Sequence, residues 1–186
     1  RNSGGSDMFL VKYSSDGNVL WARNAAGSGH DEGQSCATDP NGNIYAGGFF
    51  TGESITFDSI TLHNHAEKTG DVFVAKYAPD GNVIWAKAIG GNSTEIGNCF
   101  TDPMGNVYVA GFFASDSLSI GQTTLSNAGE ADIFLVKLDS QGTVLWAKRA
   151  GGRDFEGPRS YTTDGEGRVF ITGSFRSDAL PFGKDT

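Results

Sequence analysis

The chain has 186 residues, enough for one domain with a core of its own. Fourteen basic residues against 22 acidic give a formal charge of −8 and a pI near 4.7, a surface that repels nucleic acid and anionic membranes. No apolar run approaches the roughly 20 residues of a membrane-spanning helix, and two cysteines are too few for a disulfide scaffold.

Asp7–Tyr13 and Val19–Ala25 read as strands rich in Phe, Val, Leu and Trp, joined by Ser14–Asn18. In this turn Asp16 bonds amides ahead of it and Gly17 accepts the positive φ that closes the corner. A glycine-rich link, Gly27–Gly33, leads to a second hairpin, Gln34–Thr38 and Asn43–Phe50, around Asp39-Pro40-Asn41-Gly42. Its exit strand ends in Gly48-Phe49-Phe50, and neighbouring strand residues point to opposite faces, so the pair buries aromatic surface on both sides of a sheet. A shorter apolar pattern, Ile55, Phe57 and Leu62, predicts an additional hairpin or extended arm.

The whole series then returns. DMFLVKYSSDGNVLWAR (Asp7–Arg23) recurs as DVFVAKYAPDGNVIWAK (Asp71–Lys87) and DIFLVKLDSQGTVLWAK (Asp132–Lys148), with Trp21, Trp85 and Trp146 spaced by 64 and 61 residues. The second turn recurs at Asp102–Gly105 and Asp164–Gly167, and the arm at Leu118, Ile120 and Leu125, then at Leu180 and Phe182. No stretch has sustained helical periodicity with caps. The expected fold is all-β: a β-propeller-type array of four-stranded antiparallel blades, about three repeats of 61–64 residues, with one blade split between the termini. The divisions expected are residues 1–26 (half blade), 27–90 (blade), 91–152 (blade) and 153–186 (half blade plus arm).

The units DxFxxKxxxxGxVxWA, a GG, a polar link and TDPxGNxYxxGFF resemble the bacterial seven-bladed β-propeller repeat (SBBP) family over nearly the whole chain. The resemblance implies a secreted or cell-surface protein, often long and multidomain. In this chain polar residues precede the turn aspartates (Ser35–Thr38, Ser160–Thr163), and the arm lengthens the unit. A first residue Arg and no visible signal peptide fit a processed or excised piece of an exported protein.

The ends are in phase. Joined end to start, the chain reads like its own internal junction, with a Trp-to-Trp spacing of 61. Three blades are too few to close around an axis. Partners are therefore expected to be other copies joined head-to-tail in a ring or filament, or the continuation of a longer array. The expected assembly interface is Asp7, Phe9, Val11, Trp21, Val169, Ile171, Phe175, Leu180 and Phe182.

An active site needs a constellation that breaks the repeat, and none is visible, so no catalytic residue is assigned. His63 and His65 alternate on one strand face without a third ligand, and no metal residue is assigned. The acids of His30-Asp31-Glu32 and Asp154-Phe155-Glu156 are chemistry that Ca²⁺ accepts, but the twelve-residue calcium loop is absent, so solvated link residues and no cofactor are expected. Asp7, Asp71 and Asp132 are expected to bond the adjacent loop, and Lys12, Lys76 and Lys137 to be solvated. The tryptophans are expected in the core, and Cys36 and Cys99 as small apolar fillers. The function expected is a non-enzymatic extracellular structural or assembly protein. The alternatives are an adhesin-like module binding glycan or protein, and an enzyme whose site lies elsewhere in a longer chain. No nucleic-acid partner and no membrane insertion are expected.

Overall fold

The computed structural model describes residues 2–182, which contain strands and turns and no helix. The strands are β1 (Met8–Tyr13), β2 (Val19–Gly27), β3 (Asp31–Thr38), β4 (Ile44–Phe50), β5 (Ser54–Phe57), β6 (Ile60–His63), β7 (Asp71–Tyr77) and β8 (Val83–Ile89). Then come β9 (Glu95–Thr101), β10 (Val107–Phe113), β11 (Ser117–Ile120), β12 (Thr123–Ser126), β13 (Asp132–Leu138), β14 (Val144–Ala150), β15 (Glu156–Thr163) and β16 (Val169–Phe175).

Two four-stranded antiparallel sheets, β3-β4-β7-β8 and β9-β10-β13-β14, are blades of a propeller-type array. At the ends stand two half blades, the hairpins β1–β2 and β15–β16. They do not pair with each other. The junction read across Gly183–Thr186 and Arg1 lies outside the described residues.

The turn glycines take the backbone expected of them, and Asp80 accepts from Asn82 N, but in the first turn Ser14 Oγ and not Asp16 accepts the amide ahead, from Asn18 N at 3.1 Å. Gly17, Gly81 and Gly142 take φ near 80°, and Gly42, Gly105 and Gly167 near 75–82°, conformations that a side chain disfavours. Asp102 accepts bonds from the amides of Met104 and Asn106, the Asn106 side chain and the Tyr108 hydroxyl, all within 2.7–3.0 Å. Asp39 does the same for Asn41, Asn43 and Tyr45.

The core lies between sheets, and period-2 alternation divides each strand between two cores. Val72 and Val74 of β7 join one cluster with Tyr45, Val109, Phe113 and Phe134. Phe73, Ala75 and Tyr77 join the other with Met8, Ala25, Phe50 and Phe57. Every residue of β7 is consequently buried. Phe50 and Phe113 are fully buried, while Phe49 and Phe112 are half-buried on the opposite face.

The arm is a hairpin inserted between the second and third strands of each blade. β5–β6 reaches back to the preceding half blade, pairing Ala26 with Thr56 and Gly27 with Ile55. β11–β12 stands as a sheet of its own. Phe182 bridges to Ala150, the place corresponding to Phe57 opposite Ala25.

Candidate functional site

Neighbouring sheets are linked by recurring side chains. Trp21 Nε1 and Lys12 Nζ donate to the carbonyl of Pro79 at 3.1 and 2.9 Å, in the β7–β8 turn of the next blade. One unit later, Trp85 Nε1 and Lys76 Nζ donate to Ser140 O at 3.3 and 2.8 Å. The tryptophans are therefore half-buried tethers, with one edge in the core and the indole N–H across the blade boundary. This corrects the expectation that the repeated lysines are solvated. Lys76 is buried, with its ammonium 3.9 Å from Asp39 and over the Tyr45 ring. On the first strands a second series runs between blades: Thr101 Oγ1 donates to Thr38 O, and Thr163 Oγ1 to Thr101 O, each at 2.9 Å.

The link acids are also placed differently from the sequence expectation. Asp31 and Glu156 are buried, not solvated, because the first strand of each sheet starts at the acid itself. The acid's amide donates to the residue just before the repeated aspartate: Asp31 N to Ser6 O at 2.8 Å, Glu95 N to Gly70 O at 2.6 Å, and Glu156 N to Ala131 O at 2.9 Å. Each unit thus sets two carboxyl groups side by side, Asp7 with Asp31, Asp71 with Glu95, and Asp132 with Glu156. The repeated aspartates bond the loop before them, accepting from Ser3 N, His65 N and Ala128 N at 2.8–2.9 Å. Asp71 also contacts the His65 ring and Asp132 the Arg149 guanidinium.

In the second and third units a latch holds the inner acid. Glu95 accepts from Gly91 N at 3.0 Å and from the Ser115 hydroxyl and amide. Glu156 accepts from Gly152 N at 2.7 Å and Ser177 N at 3.3 Å. Burial, only partly offset by the Ser115 and Gly91 donors and reinforced by Asp71, pushes the Glu95 carboxyl from 4.5 up to about 7. A carboxyl whose folded pKa is raised favours folding below its unfolded pKa and loses that contribution as pH rises through the folded value. The Glu95 contribution is accordingly present below pH 4.5, declines between 4.5 and about 7, and is gone above. Chemical denaturation of wild type against Glu95→Gln across this window should show a pH slope that the variant lacks, roughly 3 kcal/mol in total.

The half blades leave the other candidate surface. Phe9 corresponds to Phe73 and Phe134, and Phe175 to Phe50 and Phe113. The interior copies are fully buried, whereas Phe9 is 75% and Phe175 54% exposed. Phe170, in the place of buried Tyr45 and Tyr108, is 55% exposed. Phe113 and Phe134 pack edge to face with centroids 6.4 Å apart, a contact that Phe175 and Phe9 lack. Val11, Val169 and Ile171 are half-buried on the same half blades. Trp21, expected at the assembly interface, is instead tied inside the chain through Pro79, and Trp146 occupies the corresponding open position. Leu180 is half-buried, and Phe182 is bridged to Ala150 although its ring is exposed.

His63 and His65 do not converge, since β6 carries His63 opposite Ser54 while His65 turns to Asp71. Cys36 and Cys99 are both free thiols. Cys99 is buried against Gly47 and Ser35, and burial pushes its thiol up to about 12, whereas Cys36 in the corresponding place is exposed. Among the described residues no group of three or more His, Cys, Asp or Glu side chains is arranged to hold a metal ion. No model of a known protein family matches the chain. The chain is 30% identical over 187 aligned residues to the "Uncharacterized WD repeat-containing protein L264" of Acanthamoeba polyphaga mimivirus. The likeness covers 79% of this chain and 13% of that protein's length, and it agrees with the propeller-type sheets seen here.

Proposed function

We propose that the chain is a non-enzymatic structural protein of the secreted or cell-surface type, whose repeats associate head-to-tail by completing the split blade. On this reading its units are SBBP-type repeats, consistent with the motifs that the three copies share. The observation that carries the reading is the contrast between Phe9 and Phe175, both more than half exposed, and the buried, mutually packed pair at the same positions inside the chain.

The internal blades supply the register. Ile44 pairs with Tyr77 and Phe50 with Asp71; Val107 pairs with Leu138 and Phe113 with Asp132. Transferred to the ends, Val169 of one copy pairs with Tyr13 of the next, and Phe175 with Asp7. Phe175 then meets Phe9, and Trp146 together with Lys137, whose ammonium stays beside Asp102, reaches the carbonyl of Ser15, the place of Pro79 and Ser140. The free edge of β1 gains a partner, which removes the association liability of an open sheet edge.

Light scattering coupled to gel filtration tests this. Wild type is expected to run as dimers or longer polymers, and Phe9→Asp, at a site already exposed, as a folded monomer with association weakened at least about 100-fold. A wild-type monomer of 19.6 kDa at every concentration overturns the reading. A second reading, a glycan-binding module, is supported by a groove of about 840 Å³ between the outer strands of the two blades, where Lys87, Gln122, Thr123, Thr143 and Trp146 give a ring and hydrogen-bonding groups.

A further inference from the structure

The first unit departs from the other two at the acid latch. Asp31 stands where Glu95 and Glu156 stand, one methylene shorter, and Gly52 stands where Ser115 and Ser177 stand, without a hydroxyl. Asp31 is 1% exposed, yet neither of its carboxylate oxygens has a hydrogen-bond partner, and Asp7 Oδ1 beside it also has none. The Gly27 amide acts on Asp31 electrostatically without completing a hydrogen bond. In the other units a basic side chain contacts the outer aspartate, the His65 ring at Asp71 and the Arg149 guanidinium at Asp132. Asn24 and Ser3 fill the corresponding places around Asp7, and neither carries charge.

Two like charges in a buried setting with unpartnered oxygens are expensive unless a counterion joins them. The strand start fixes their proximity through Asp31 N to Ser6 O. A backbone oxygen is also at hand. A β-carbon on Gly27 would stand 1.9 Å from Ser54 O and 3.1 Å from Asp31 Oδ2, so glycine is what lets carbonyl and carboxylate approach one another. The donors are all hard oxygens, the set that Ca²⁺ prefers, with water able to complete its six to eight ligands from the half-exposed side of Asp7.

We propose that Asp31, Asp7 and the Ser54 carbonyl form a Ca²⁺ site in the first unit alone. The site lies within one chain and does not depend on the assembly reading. Its occupation fixes the start of β3 against the residue before β1, where the other units use the Glu–Ser latch.

The test is calorimetric titration of EDTA-treated protein with CaCl₂ at pH 7.5, together with thermal unfolding. One Ca²⁺ per chain is expected to bind with Kd of about 10⁻⁴–10⁻³ M, and 5 mM Ca²⁺ to raise Tm by roughly 2–9 °C. Asp31→Asn is expected to abolish both effects and, without Ca²⁺, to melt above wild type, since the like-charge contact is gone. Asp7→Asn should weaken binding at least about tenfold while leaving the fold intact. Glu95→Gln should keep the full response. A wild type indifferent to Ca²⁺, or an Asp31→Asn variant that retains the response, overturns the proposal.

Discussion

Gly111→Ala is expected to destabilise the chain by more than about 4 kcal/mol, a large share of the roughly 5–15 kcal/mol that holds a domain of this kind together. Gly111 sits mid-strand in β10, opposite Gly97 of β9. A β-carbon there would lie 1.9 Å from the Ile96 carbonyl oxygen and 2.6 Å from Gly97 Cα, both backbone atoms that cannot rotate away. Relief requires the two strands to part, which breaks the ladder in a sheet that contributes to the main core. Thermal melts should show Tm falling by at least ~10 °C. Gly165→Ala is the control. Its β-carbon meets nothing within 4 Å and its φ lies outside the left-handed region, so Tm should move by no more than ~2 °C.

Asp102→Ala is expected to cost about 3–4 kcal/mol, measured by urea denaturation. The carboxylate gathers two backbone amides, the Asn106 side chain and the Tyr108 hydroxyl, and the Lys137 ammonium lies 3.8 Å away. Truncation leaves these donors facing a void where the buried carboxylate stood, and an unmade bond there costs more than a made one contributes. Burial pushes the Asp102 carboxyl up, but the Asn106, Tyr108 and Met104 bonds outweigh it and hold the group below the ordinary value. Its contribution is therefore present above the unfolded pKa and lost as pH falls through the folded one, opposite in sign to that of Glu95. Asp164→Ala, at an exposed turn whose main side-chain partner is the solvent-screened Arg168, should shift the urea midpoint far less than Asp102→Ala.

The sequence shows the sheets because their cause is local and repeated. The Asp-Gly and Asp-Pro turns, the alternating Phe-Val runs and the Trp spacing each depend on residues a few positions apart, and the copies reinforce one another. The largest boundary difference arises where a tertiary bond extends a strand, at Asp31, whose amide is recruited by Ser6 and draws β3 into the link. The buried acids were not legible for a related reason. Glu95 and Ser115 are twenty residues apart, and their contact exists only once β9 and the end of β10 come together. One signal was available: aligning Asp31 with Glu95 and Glu156, and Gly52 with Ser115 and Ser177, exposes the unit that breaks the pattern. A bulge in β3 and β15, absent from β9, shifts that alignment by one residue and hides it. Trp21 was misplaced because strand alternation fixes which face a residue occupies but not which neighbour that face meets.

The tethers between blades have a sense. On the outer strands the earlier blade donates and the later one accepts, Trp21 to Pro79 and Trp85 to Ser140. On the first strands the order reverses, with Thr101 donating back to Thr38 and Thr163 to Thr101. The two open ends are therefore chemically unlike. One presents an indole and an ammonium at its rim and a bare carbonyl at its hub; the other presents a carbonyl at its rim and a threonine hydroxyl at its hub. In the assembly proposed above, two identical ends brought together would set donor against donor and acceptor against acceptor, so these tethers favour head-to-tail over mirror-wise pairing before any shape is compared.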